Sequence, residues 1–156
     1  MNGCIRAFFT GGSFWDSGAR PRGGFDTASV RSAPGGLFEQ WVISCDYGTV
    51  NPASFGLWGK QNGVWYRTDE FYFDSRREGQ QMTDAEYAEK LRKLAGGRTI
   101  REVIVDPSAA SFIEALRREG FPVSRADNDV ADGIRVTANL LKQRKIVICE
   151  DCGSCL

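Results

Sequence analysis

Apolar positions begin to recur regularly at Trp41. Three strand-like runs follow one another: WVISCD (41–46), SFGLWGK (54–60) and VWYRTDEFYFD (64–74). Gln61-Asn62-Gly63 separates the last two, and its Asn-Gly pair favours a tight hairpin turn. Three antiparallel strands in succession are predicted. The polar stretch SRREGQQ (75–81) then reads as a loop. Thr83 and Glu86 have capping-box spacing, and Tyr87, Leu91 and Leu94 follow at helical intervals up to Gly96-Gly97. IREVIVD (100–106) holds an unbroken Val103-Ile104-Val105 run, the pattern of a strand covered on both faces.

Four further elements complete the pattern. Ser108–Glu119 is predicted helical, with Phe112, Ile113 and Leu116 inward and Gly120 closing it. Pro122–Ala126 reads as a short strand, and Asp129–Arg144 as an amphipathic helix with Val130, Ile134, Ala138 and Leu141 on one face. Lys145–Cys149 (KIVIC) is a last strand. Three meandering strands followed by strand-helix crossovers predict an α/β mixed sheet with helices on its faces. Residues 1–37 have a different texture, rich in glycine, with Ile5–Phe9 the one candidate element. They are expected to be a poorly ordered or atypical lead-in to a domain at 38–156.

At 156 residues the chain is long enough for one domain with a useful core. No apolar run approaches the ~20 residues of a membrane helix, so a soluble, cytoplasmic protein without membrane partners is expected. Twenty basic residues balance twenty acidic ones, which leaves any nucleic-acid contact to local patches. There is no histidine, which excludes Ser-His and Cys-His nucleophile pairs and points to carboxylates as the reactive groups. Cys149, Cys152 and Cys155 form a C-x-x-C-x-x-C run, but a closed zinc site needs a fourth ligand, so free thiols are expected.

Two carboxylates stand out. Asp46 and Asp106 each close an apolar strand, and in such sheets ligands gather at the carboxyl ends of strands. If the two strands are neighbours, about 5 Å apart, two anions lie side by side. A divalent cation relieves their repulsion, and with oxygen ligands Mg²⁺ or Mn²⁺ is the natural occupant. The competing reading is that each aspartate only caps a turn or a helix. Among basic residues, Arg67, Arg76, Arg77, Lys142, Arg144 and Lys145 are candidates for phosphate contact, with Arg76 and Arg77 preferred.

Asp46-Tyr47-Gly48-Thr49 with Asn51-Pro52, the block VIVDPSAASFIEALRREG (103–120) and the block RADNDVADGIRVTANLL (125–141) resemble the nuclease domain of the tailed-phage terminase large subunit, most of all the PBSX type. The resemblance runs from about Phe38 to about Cys152. It implies a ribonuclease H-like fold and two-metal phosphodiester hydrolysis of viral DNA during packaging. Asp46 and Asp106 would be metal ligands, double-stranded DNA the substrate, and the small terminase subunit and portal partners of the full-length protein. Such enzymes carry a third acidic residue on a late helix, in a pattern like Asp-His-Ala-Leu-Asp-Ala-Leu-Arg-Tyr, which has no counterpart here. Asp129 and Asp132 are the available substitutes. An incomplete active site on a fragment of a longer gene is therefore expected, with a non-catalytic remnant as one alternative. The other is an ATP-binding fragment, because DYGTVNPASFGLW also resembles the first phosphate loop of the actin and Hsp70 ATPases.

Overall fold

The structure, a computed structural model, describes residues 30–127 and 130–152. Its strands are β1 (Val30–Arg31), β2 (Gln40–Asp46), β3 (Ala53–Gln61), β4 (Val64–Phe73), β5 (Ile100–Val105), β6 (Val123–Arg125) and β7 (Ile146–Cys149). The helices are α1 (Ser75–Glu78), α2 (Asp84–Ala95), α3 (Ala110–Arg118) and α4 (Val130–Lys142). They build one seven-stranded sheet in the order β1-β7-β4-β3-β2-β5-β6. The pairs β2/β3 and β3/β4 are antiparallel, and β2/β5, β5/β6, β4/β7 and β1/β7 are parallel.

Local chemistry explains the elements. Asn62 and Gly63 both adopt positive φ (51° and 76°), as a two-residue hairpin turn with the sheet's own twist requires. Thr83 caps α2: its hydroxyl accepts the Glu86 N–H, while the Glu86 carboxylate accepts the Thr83 N–H at 2.7 Å. Those Thr83 bonds hold the Glu86 carboxyl below its ordinary pKa. The reciprocal contact is therefore present at neutral pH and fades as pH falls through that lowered value. Thr83→Ala is expected to cost about 1 kcal/mol in a urea titration.

Two predicted features change. The 75–81 loop contains a one-turn helix, because the Asp74 carboxylate accepts the N–H groups of Arg76 and Arg77 and Gly79 ends the turn at φ 68°. The helix expected from Ser108 starts at Ala110, since the Ser108 N–H is taken by Asp106 Oδ1 at 2.7 Å. The expected lead-in lies largely outside the described residues, Ile5–Phe9 included. Val30 and Arg31 within it pair with Ile148 and Cys149.

The sheet has a covered face on each side. Ile43, Cys45, Phe55, Leu57, Val103 and Val105 pack against Tyr87 and Leu91 of α2 and Phe112 and Leu116 of α3. Here α2 and α3 bury the stripes that the i, i+3, i+4 spacing predicts. On the opposite face Val42, Trp58, Trp65, Ile104 and Ile146 meet Leu140 and Leu141 of α4. Trp58 and Trp65 are thus core residues, whereas Tyr72 is exposed.

Candidate metal centre

Alternation along a pleated strand sends successive side chains to opposite faces. In β2, Ile43 and Cys45 enter the cluster under α2 and α3. Ser44 belongs to the other face, where Trp58 Nε1 donates to its hydroxyl at 2.9 Å, and Asp46 follows it there in register. In β5, Val103 and Val105 enter the first cluster and Ile104 the second, so the next position of that parity is Asp106. The parallel ladder pairs Ser44 with Ile104 and Cys45 with Val105. One step further, Asp46 and Asp106 stand beside each other on the α4 face, at the rim where both strands terminate. The ladder itself ends at Cys45 and Val105, so the two aspartates singled out in the sequence are aligned by continuing that register one step across strands spaced about 4.8 Å apart.

Both carboxylates are half-buried. The capping interpretation of Asp106 holds in part: one of its oxygens accepts the Ser108 N–H, and its carbonyl accepts the Ala109 N–H at 3.1 Å. This turn fixes the carboxylate and leaves its second oxygen to other partners. Behind Asp46 lies Gly48, where a Cβ would come within 2.3 Å of the Asn51 carbonyl oxygen, so the loop can close this tightly only around glycine. Cys45 points away from the pair; burial, then the charge of Asp46, pushes its thiol well above its ordinary pKa.

The loop after β2 is tied to α1. Ser75 donates to the carbonyls of Thr49 and Val50 at 3.2 and 3.3 Å, and Arg76 Nη2 donates to Asn51 Oδ1 at 3.3 Å. Because β4 runs in the same direction as β2, α1 leaves the sheet at the same rim as the aspartates. Arg76 and Arg77 are exposed there. Lys142, Arg144 and Lys145 precede β7 and so lie at the opposite rim, because β7 is parallel to β4.

Arg67 is not a surface cation. It is 8% exposed, with its guanidinium 5.5 Å from the Trp58 ring centroid and Nη2 bonded to Glu70 Oε2 at 3.2 Å and Ser54 Oγ at 3.3 Å. Ser54 stands across from Asp46 in the β2/β3 ladder. Gly56 makes room for this pair, since a Cβ would fall 2.8 Å from the guanidinium carbon. Sequence reasoning does not single out Glu70. A bulge between Leu57 and Trp58 shifts the pairing of β4, so simple alternation does not put Arg67 and Glu70 together. The one available signal is the three-residue spacing of opposite charges inside an aromatic strand.

The other carboxylates add little. Asp132 is engaged by Arg135 within α4, and Asp129 lies outside the described residues. Among the described residues no group of three or more carboxylate, thiol or imidazole side chains converges as a metal site. Cys149 and Cys152 are buried free thiols, with Cys152 Sγ bonded to the Arg67 carbonyl at 3.3 Å, and Cys155 is outside the described residues. No helix among the described residues is long and apolar enough to cross a membrane.

No protein-family model matches the chain, and no curated protein matches it. Solved structures do. The large terminase of a thermophilic bacteriophage, in complex with ADP, shares 46% identity with this chain at a TM-score of 0.79. The match covers 83% of this chain and 33% of that one, so the chain spans about a third of the length of its relative. The nuclease domain of the P22 large terminase matches at 12% identity and a TM-score of 0.62, over 79% of this chain and 68% of that one. The large terminase nuclease from thermophilic phage G20c, with bound zinc, matches at 13% identity and a TM-score of 0.56, covering 78% and 75%. The latter two likenesses carry the fold, which is ribonuclease H-like. Sequence identity and shared sheet topology together place this chain in the large terminase family of bacteriophages, in the part that folds like the family's nuclease domains.

Proposed function

We propose that the chain acts as the metal-dependent DNA endonuclease domain of a phage DNA-packaging terminase, hydrolysing phosphodiester bonds. The observation that carries this reading is the parallel β2/β5 register, whose last pair, Cys45 and Val105, leaves Asp46 and Asp106 as the next residues at adjacent strand ends. Two half-buried carboxylates with no histidine nearby form a hard oxygen donor set, which fits Mg²⁺ or Mn²⁺. They suffice to anchor one such ion. A second ion lacks a third acidic ligand among the described residues. A divalent cation held there supplies an acidified water and neutralises phosphate charge.

The chain's own residues prepare that site. Asp46 and Asp106 hold the cation, and the Ser108 N–H fixes the orientation of Asp106. Arg76 and Arg77, at the same rim, attract the DNA backbone without reading sequence. In the full-length protein the small terminase subunit and the portal are the proposed partners.

Supercoiled plasmid incubated with the chain and Mn²⁺, beside a chelator control, tests the proposal. Nicking that requires Mn²⁺ supports it; metal binding without any cleavage leaves a non-cutting domain. Replacing both Arg76 and Arg77 by alanine is expected to weaken binding equally for unrelated duplexes. The slope of log affinity against log salt should shrink by roughly one for each arginine that contacts a phosphate.

A further inference from the structure

Tyr47 follows Asp46 directly, and its side chain reaches two elements on the sheet face opposite the carboxylate pair. Its hydroxyl donates to Asp84 Oδ1 in the first turn of α2. Its ring stacks on Phe112 of α3, with centroids 4.6 Å apart and planes 13° from parallel. Tyr87 meets it edge-on at 5.4 Å and donates its own hydroxyl to the Gly48 carbonyl at 3.2 Å. On the far side of the stack, α3 begins from the turn that Asp106 closes by accepting the Ser108 N–H. A continuous path therefore runs from Asp46 through the Tyr47 ring and Phe112 to Asp106.

We infer that Tyr47 is a positioning residue, which fixes the separation of the Asp46 and Asp106 carboxylates by locking the end of β2 onto the start of α3. A ring stacked face to face resists sliding and rotation, and the bond to Asp84 sets its tilt. Two carboxylates hold one cation well only if their spacing is set before the ion arrives. The functional weight of the inference rests on the metal reading above, but its geometric content does not.

The test compares Tyr47→Leu, Tyr47→Phe and the control Leu91→Ala, a fully buried α2 residue in the same cluster. Mn²⁺ affinity is read by calorimetry, and local order by hydrogen exchange at the Ser108 amide. Tyr47→Leu is expected to weaken Mn²⁺ binding about tenfold, the lower end of what loss of an outer partner costs a metal site. The Ser108 amide should exchange faster in that variant. Tyr47→Phe keeps the stack and should regain most of the affinity. Leu91→Ala should lower the Tm while leaving affinity and the relative protection of Ser108 unchanged. Should Tyr47→Leu fail to fold, Phe112→Leu removes the stack from the other side with the same expectation. Unchanged affinity and exchange in Tyr47→Leu, or an equal loss in the Leu91→Ala control, would overturn the inference. If the unsubstituted chain bound no Mn²⁺, the metal reading would fall, and the Ser108 amide would decide the positioning role by itself.

Discussion

Replacing Asp46 or Asp106 by asparagine is expected to lower Mn²⁺ affinity by more than about 100-fold, because loss of a mere outer partner already costs about 10 to 100-fold. Each substitution keeps the shape of the side chain and one carbonyl oxygen while removing the negative charge that attracts the ion. Asparagine is the informative choice at position 106, since it can still accept the Ser108 N–H and so keeps the turn that alanine would lose. Stability should be unchanged or slightly raised, because one of two adjacent anions has gone. Plasmid nicking should vanish in both variants. Cleavage that survives in Asp46→Asn belongs to a contaminant or to another site, and undiminished Mn²⁺ binding in both variants sinks the carboxylate pair as a metal centre.

Phe112→Ala is expected to cost about 3–5 kcal/mol in a denaturant titration, the usual range for deleting a large buried aromatic side chain. Phe112 is fully buried, stacks on Phe55 as well as on Tyr47, and meets Tyr87 edge-on, so three rings lose a partner at once. Set against a net stability of roughly 5–15 kcal/mol for a domain, that loss is a large share. A change below about 1 kcal/mol would show that α3 can settle into the vacated space, contrary to a close-packed interior.

The strands and their ends were legible in the sequence because local rules decide them. Trp41–Asp46 and Ile100–Asp106 announce themselves by apolar runs that stop at a carboxylate, and Asn62-Gly63 and Thr83/Glu86 act within a few residues. That β2 and β5 are neighbours was a condition the sequence left open, and the parallel ladder between them meets it. Other features escaped because they depend on contacts across the chain. The return of β7 to the side of β4 has no local signal, and neither has the pairing of Val30–Arg31 with β7. One turn of helix at Ser75–Glu78 is too short for periodicity to register, although Asp74 and Gly79 bracket it. Arg67 carries the charge of a surface residue, yet Gly56, Ser54 and Glu70 make a buried place for it.

At one edge of the sheet stand the three residues of β6. A ladder so brief offers a foreign chain few backbone groups to grip, which guards against runaway stacking of one molecule onto the next. Lengthening β6 by a few β-branched residues should therefore make the protein prone to forming fibres, even with its interior untouched.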